Sequence, residues 1–260
     1  MKLPETKSLP VIYSYICPDD SVIRLKLLAS SPLYSSNQID ILSPLSDADV
    51  KISSDQGISQ LIFNQNTGYY ELKTNSYPIV PGQVYKMTVT TINGDVATAE
   101  TQVPFTAVPI NMVTVETIIE NNQTSDRINV SFIDEPGRVN YYRIAVLHAF
   151  VLTFQTDTIS DDTRINERYS DLNHDGENVS LVGRFYPRSD STQYYSTEYY
   201  DVFLYNCSES YYKFYELLRT DLSGIGFPPP AEPTLMYSNV KGGFGCFGAY
   251  MKMKFRYKKK

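Results

Sequence analysis

Tyr237-Ser-Asn-Val-Lys-Gly-Gly-Phe-Gly-Cys-Phe-Gly-Ala-Tyr250, followed by Met251-Lys-Met-Lys-Phe-Arg-Tyr257, is the stretch on which the fold turns. Gly243-x-Gly245-x-x-Gly248 matches a dinucleotide-binding fingerprint letter for letter. That fingerprint needs a helix after the glycines and an acidic residue about 20 positions further on. Here only twelve residues follow Gly248, and none is acidic. They alternate as a strand, with Met251, Met253, Phe255 and Tyr257 on one face and Lys252, Lys254, Arg256 and Lys258 on the other. The glycines therefore read as tight turns and close backbone approach where a strand begins, and no nucleotide cofactor is expected.

Upstream, residues 199–205 read as a strand closed by Asn206-Cys207-Ser208, and Ser208 is placed to cap a helix. Tyr211, Phe214, Tyr215, Leu218 and Leu222 recur at the spacing of one helical face, while Lys213, Glu216 and Arg219 fall off it. Gly224 and Gly226 end the pattern, and Pro228-Pro-Pro230 and Pro233 bar its resumption. This is a short amphipathic helix over about 209–222, packed on a sheet. The aromatic density around it makes Tyr211, Tyr212, Tyr237, Phe244 and Phe247 candidate ligand- or partner-binding residues.

The N-terminal half repeats a simpler theme. Runs at 11–16, 22–28, 50–53, 60–63, 69–73, 83–91 and 96–103 read as strands between turn signals. Asn93-Gly94 is the strongest hairpin signal, because type I′ turns need positive φ. Short strands at this density predict an immunoglobulin- or fibronectin-like β-sandwich over residues 1–105. A linker, Pro104-Phe-Thr-Ala-Val-Pro109, leads to a second β-rich domain over 106–260, with strands at 113–120, 128–133, 141–147 and 180–185. The fold class is mainly β: two β-sandwich domains, the second carrying the helix and the glycine-aromatic segment.

Composition bounds the function. Tyrosine (22) and phenylalanine (12) are abundant, tryptophan is absent, and 42% of the 260 residues are apolar, as in a folded β protein. A net charge of −6 argues against nucleic acid, whose binding rests on phosphate neutralisation. Three cysteines (Cys17, Cys207, Cys246) form no CxxC pair and only two histidines exist, so a structural zinc site is not expected. Cys207–Cys246 is one conceivable disulfide. No run reaches the length of a membrane-spanning helix.

The polar gap at 157–178 is long for a β connection and holds Asp171-x-Asn173-x-Asp175-Gly176, the opening of an EF-hand calcium loop. Its bidentate-glutamate position is Val182, so the hand is broken. Asp171, Asn173 and Asp175 remain candidate calcium ligands, with Glu177, Asp161 and Asp162 near in sequence. His148 lies in an apolar run and His174 in the polar gap, and no nucleophile elbow, zinc helix or phosphate loop appears. An enzyme is not expected.

Several segments, in order, resemble domain of unknown function 4249. They are Tyr205-Asn-Cys-Ser208, Tyr211-Tyr212, Phe227-Pro228, Glu232-Pro233, Tyr237-Ser-Asn-Val240 and Gly242-Gly-Phe-Gly-Cys-Phe-Gly-Ala249. The strand pattern from Val11 to Ile16, Arg24-Leu25, Pro32-Leu33, Ala48-Asp-Val-Lys-Ile52, Gly82-x-x-Tyr85 and Gly94-Asp95 extend the likeness to nearly the whole chain. The resemblance implies an outer-membrane lipoprotein of the Bacteroidetes, lipid-anchored at the cell surface. It further implies an accessory or ligand-binding role beside a TonB-dependent transporter in nutrient uptake. No lipobox precedes Leu3 and Cys17 lies inside a strand pattern, so the resemblance implies an anchor removed from this sequence. The competing expectation is a structural or adhesive surface module that binds glycan or protein.

Overall fold

The computed structural model describes residues 8–30, 44–121, 123–152, 158–160, 165–172, 174–186, 195–222 and 237–259. Among them it is mainly β, with sixteen strands and one helix. It divides into two compact units: Met1–Phe105 with Ser208–Met251, and Thr106–Cys207 with Lys252–Lys260. Residues 208–251, assigned by sequence to the second domain, instead group with the first unit.

The first unit contains β1 (Pro10–Ile16), β2 (Val22–Ala29), β3 (Asp49–Ser54), β4 (Gly57–Asn64), β5 (Tyr69–Lys73), β6 (Val84–Thr90) and β7 (Val96–Gln102). β15 (Val240–Lys241) and the first half of β16 (Phe244–Lys258) join them. Their hydrogen-bonded order is β16-β1-β2-β5-β4-β3-β6-β7-β15. β4 joins two layers, pairing with β3 through Gly57–Leu61 and with β5 through Ile62–Asn64. Between the layers lie Ile12, Ile16, Leu25, Leu27, Ile52, Tyr85, Met87 and Phe247. The Asn93-Gly94 hairpin forms between β6 and β7, but only Gly94 takes a positive φ and the loop spans five residues, 91–95.

β16 begins at Phe244, inside the glycine run rather than after it. It lies parallel to β1, from Val11↔Phe244 to Ile16↔Ala249. The glycines bring it close. A Cβ on Gly243 would stand 2.3 Å from the Pro10 carbonyl oxygen, and one on Gly245 would stand 2.0 Å from that of Ile12. These glycines let two backbones approach, as close packing at a strand requires.

Helix α1 (Glu209–Leu222) covers the outer face of β1 and β16. Ser208 caps it as expected, its Oγ accepting from Tyr211 N at 3.3 Å and from Ala249 N at 3.0 Å. Tyr211 and Phe214 are buried, Tyr215 is half-buried, and Lys213 pairs with Glu209 on the exposed side. Gly248 makes room for the helix, since a Cβ there would lie 2.9 Å from the Tyr211 Cβ. The side chains of Leu218, Arg219 and Leu222, and Gly224, Gly226 and the prolines beyond, lie outside the described residues.

The second unit holds β8 (Met112–Glu120), β9 (Gln123–Ile133) and β13 (Asn178–Phe185), ordered β13-β9-β8. It also holds β10 (Tyr141–Leu152), β11 (Thr158–Ser160), β12 (Ile165–Ser170), β14 (Tyr195–Cys207) and the end of β16. Here β10 pairs with β11, β12 and β14, and β14 neighbours β16. Alternate residues of β9, β10 and β14, including Ile128, Phe132, Tyr142, Ile144, Tyr200 and Leu204, form its core. β11 and β12 lie in the stretch read as a polar gap.

All three cysteines are free and buried, which corrects the conceivable Cys207–Cys246 disulfide. Two of the thiols serve as local donors instead, Cys207 Sγ to Tyr205 O and Cys246 Sγ to Ser210 O. Burial pushes the Cys246 thiol up to about 12, so it stays protonated and inert at neutral pH.

Candidate functional site

In β1 the residues alternate: Ile12, Ser14 and Ile16 are buried on the core side, and Tyr13 and Tyr15 point to the other face. The antiparallel register sets Tyr13 directly opposite Lys26 of β2. The β2–β5 register runs from Val22↔Lys73 to Leu25↔Tyr70, which brings Tyr69 beside Lys26 at the next position. Arg24 falls opposite Glu71 in the same register, with Nε 3.1 Å from Oε1. Three neighbouring strands thus carry two lateral rows on one outer face: Tyr13, Lys26, Tyr69 and Tyr15, Arg24, Glu71.

All of these residues but Glu71 floor a cleft of about 730 Å³ in the first unit. Phe214 and Tyr215 of α1 form one wall, and Tyr250, Asp20, Ser21 and Val22 close another side. The rings pack edge to face and tilted, Tyr15 against Tyr211 at 5.2 Å and Tyr13 against Phe214 at 5.7 Å between centroids. Tyr250 donates to Asp20 Oδ2 at 3.1 Å, and Tyr15 and Tyr215 share a hydrogen bond. Burial first, then the nearby Cys246, raises the Tyr13 phenol above its ordinary value. The Tyr13 phenol is therefore a neutral donor at physiological pH.

A second group of polar side chains lies in the other unit. Asp134 follows β9, and Asp171 and Asp175 follow β12; a carboxylate oxygen from each lies within 4.8 Å of the others. Asp134 and Asp171 are buried and Asp175 is exposed. Asp134 accepts from Tyr142 OH at 2.6 Å and from Gly176 N at 2.8 Å. Asp171 accepts from Asn140 N at 2.8 Å, and Asp175 from Gly137 N at 2.9 Å. The acids therefore also hold two turns together. Burial, opposed by the Asn140 amide and reinforced by the Asp134 charge, raises the Asp171 carboxyl above the usual carboxylate range.

Asp171 and Asp175 thus come together, but their third partner is Asp134, 37 residues before Asp171 in sequence, which motif reading could not supply. Asn173, Asp161 and Asp162 lie outside the described residues. Of the aromatic candidates, Phe247 is buried in the first core and Tyr211 lies on the buried face of α1 against Tyr15, which commits both to packing. Phe244 is 48% exposed, and Tyr212 and Tyr237 are half-buried. None of the five lines the cleft; their neighbours Phe214, Tyr215 and Tyr250 do. The alternation Tyr13-x-Tyr15 was the available signal, but its partners Lys26 and Tyr69 depend on strand pairing.

His148 sits within the second core, its Nε2 2.8 Å from Glu198 Oε1 and its ring among Phe185, Phe150 and Tyr200. His174 is exposed beside Glu177. No helix among the described residues is long and apolar enough to cross a membrane.

A family model described as Domain of unknown function (DUF4249) matches residues 1–256. No curated protein matches the chain.

Proposed function

Since the chain belongs to the DUF4249 family, we propose that it is a non-catalytic ligand-binding lipoprotein of the outer membrane, exposed at the cell surface. In this reading it serves a TonB-dependent transporter in nutrient uptake. The observation that carries ligand binding is the aromatic cleft, whose volume falls in the range of small-molecule sites. The transporter and the anchor enter from the family resemblance. The non-catalytic part is supported by His148, which packs among rings with its Nε2 on a carboxylate.

The test is an affinity pull-down of the lipid-anchored precursor from native membranes, read by mass spectrometry. A stoichiometric TonB-dependent barrel supports the accessory role. Recovery without a barrel moves the reading to an adhesive surface module. Ligand binding has a separate readout. With no tryptophan in the chain, emission comes from tyrosine alone, and the cleft contains Tyr13, Tyr15, Tyr69, Tyr215 and Tyr250. A ligand in the cleft is expected to change tyrosine emission in a saturable way.

One observation favours a second, independent reading, a cation at Asp134, Asp171 and Asp175. Two of these carboxylates are buried beside each other, and calcium takes oxygen ligands of this kind. The three would supply half or fewer of its six to eight oxygens, leaving the rest to backbone carbonyls and water. The sign of the Asp171 shift makes a prediction. With its folded value raised, the stability it contributes is full below the unfolded value and is lost as pH rises through the folded value. A bound cation removes that loss at neutral pH. Calcium at about a hundred times its Kd should then stabilise the protein by about 2.7 kcal/mol at pH 7 and by far less at pH 4. An unfolding midpoint unmoved by calcium and by chelator at pH 7 would retire the reading.

A further inference from the structure

We propose that the cleft binds a saccharide carrying an anionic group, with the anion seated on the row formed by Tyr13, Lys26 and Tyr69. This rests on the reading of the cleft as the ligand site. The row crosses three adjacent strands, so neighbouring side chains rise about 4.8 Å apart from a common floor. The Lys26 ammonium is exposed between two phenol-bearing neighbours and has no ion partner among the described residues. The other charges of the cleft are committed: Arg24 to Glu71, and Asp20 to the Tyr250 hydroxyl. The Tyr13 and Tyr69 hydroxyls likewise make no hydrogen bond among the described residues. One cation and two O–H donors on one row match a single carboxylate or phosphate, which accepts from all three.

The rest of the cleft sets the body of the ligand. Tyr15 and Tyr215 offer ring surface, yet the Tyr13 and Tyr69 hydroxyls and Ser21 stand among the rings. A wholly apolar ligand would strip water from these groups and pair none of them, at about 1–3 kcal/mol for each left unsatisfied. A sugar ring meets both demands, laying C–H faces on the tyrosines while its hydroxyls reach the polar rim. The anion has two chemical sources, a sugar carboxylate or a sugar phosphate, and the row reads the charge common to both.

The experiment titrates the full chain with trigalacturonate, glucose 6-phosphate and neutral maltotriose, followed by tyrosine emission and calorimetry. Lys26→Met keeps the side-chain stem at an exposed site, and Tyr13→Phe removes one hydroxyl. Thermal melts establish that each variant is folded. At least one anionic probe is expected to bind ten times or more tighter than maltotriose, and to weaken with salt. Lys26→Met should cost it at least tenfold, Tyr13→Phe less, and neither should change maltotriose. The stronger of the two anionic probes identifies the source. Equal affinity for charged and neutral probes, or unchanged binding by Lys26→Met, overturns the anion assignment and leaves the cleft standing. Binding that survives Ser21→Trp, which blocks the cleft, overturns the site as well. No binding by any of the three overturns the saccharide assignment, while the transporter pull-down reads the broader function separately.

Discussion

Gly245→Ala is expected to destabilise the first unit by about 4 kcal/mol or more, a large part of the stability of an ordinary domain. Gly245 has φ +108°, outside the region that L side chains adopt, and this alone costs about 1–2 kcal/mol. The larger part is steric. The new Cβ would stand 2.0 Å from the Ile12 carbonyl oxygen, 2.8 Å from its carbon and 2.9 Å from its nitrogen. All three are backbone atoms of a paired strand, so none can swing away. Relief requires parting β1 from β16, which breaks the Val11–Ile16 ladder and separates Ile12 and Ile16 from Phe247 in the core. Gly94→Ala is the matched control: its φ is also positive, at +83°, but its Cβ would meet nothing within 4 Å. It should lose only the backbone contribution, about 1 kcal/mol. Urea unfolding of both variants checks this, and similar losses at the two positions would refute the close-approach argument.

That same contact shows what a single sequence carries and what it does not. Alternation in β1, β2 and β6 is local and survives in the letters, as does the Ser208 cap, because a hydroxyl and its amide lie within one turn. The partner of a strand is not local. β1 pairs with a strand more than two hundred residues later, and only that pairing explains why Gly243 and Gly245 have no side chains. It also explains why the helix groups with the first unit, since its cap bonds Ala249 of the same strand. The Tyr13, Lys26, Tyr69 row is invisible for the same reason: three unremarkable residues become neighbours through two registers. Asp134 completes the carboxylate trio in the same way. β12, Ile165–Ser170, was missed for another reason. Its letters, Ile-Asn-Glu-Arg-Tyr-Ser, carry no apolar alternation, and its pairing with β10 supplies what periodicity does not.

Lys259→Met should cost about 3–5 kcal/mol at pH 7, far more than an exposed lysine is worth. The Lys259 ammonium is largely buried, against the fully buried Asp126. Asp126 also accepts from Thr117 Oγ1 at 2.7 Å and from Tyr200 OH, and Lys259 reaches Glu198 Oε2 at 3.4 Å. Burial alone would raise both carboxyls. For Asp126, hydrogen bonds from Lys259, Thr117 and Tyr200 outweigh it; for Glu198, the His148 bond and the Lys259 charge do so. Both folded values therefore lie below the ordinary ones, so this stability is present above about pH 4 and is lost as pH falls through the folded values. Methionine keeps the bulk and removes the charge, leaving the buried Asp126 and the partly buried Glu198 carboxylates without it. Their folded values should then move up, and the variant should lose stability with rising pH where the wild type holds it. The gap between the two proteins should be widest near pH 7 and shrink toward pH 3. Adding Asp126→Asn to Lys259→Met should recover part of the loss, because the orphaned charge is then gone. Urea midpoints for the three proteins across pH 3–8 measure this. A gap that stays constant with pH would mean that Lys259 acts through packing alone.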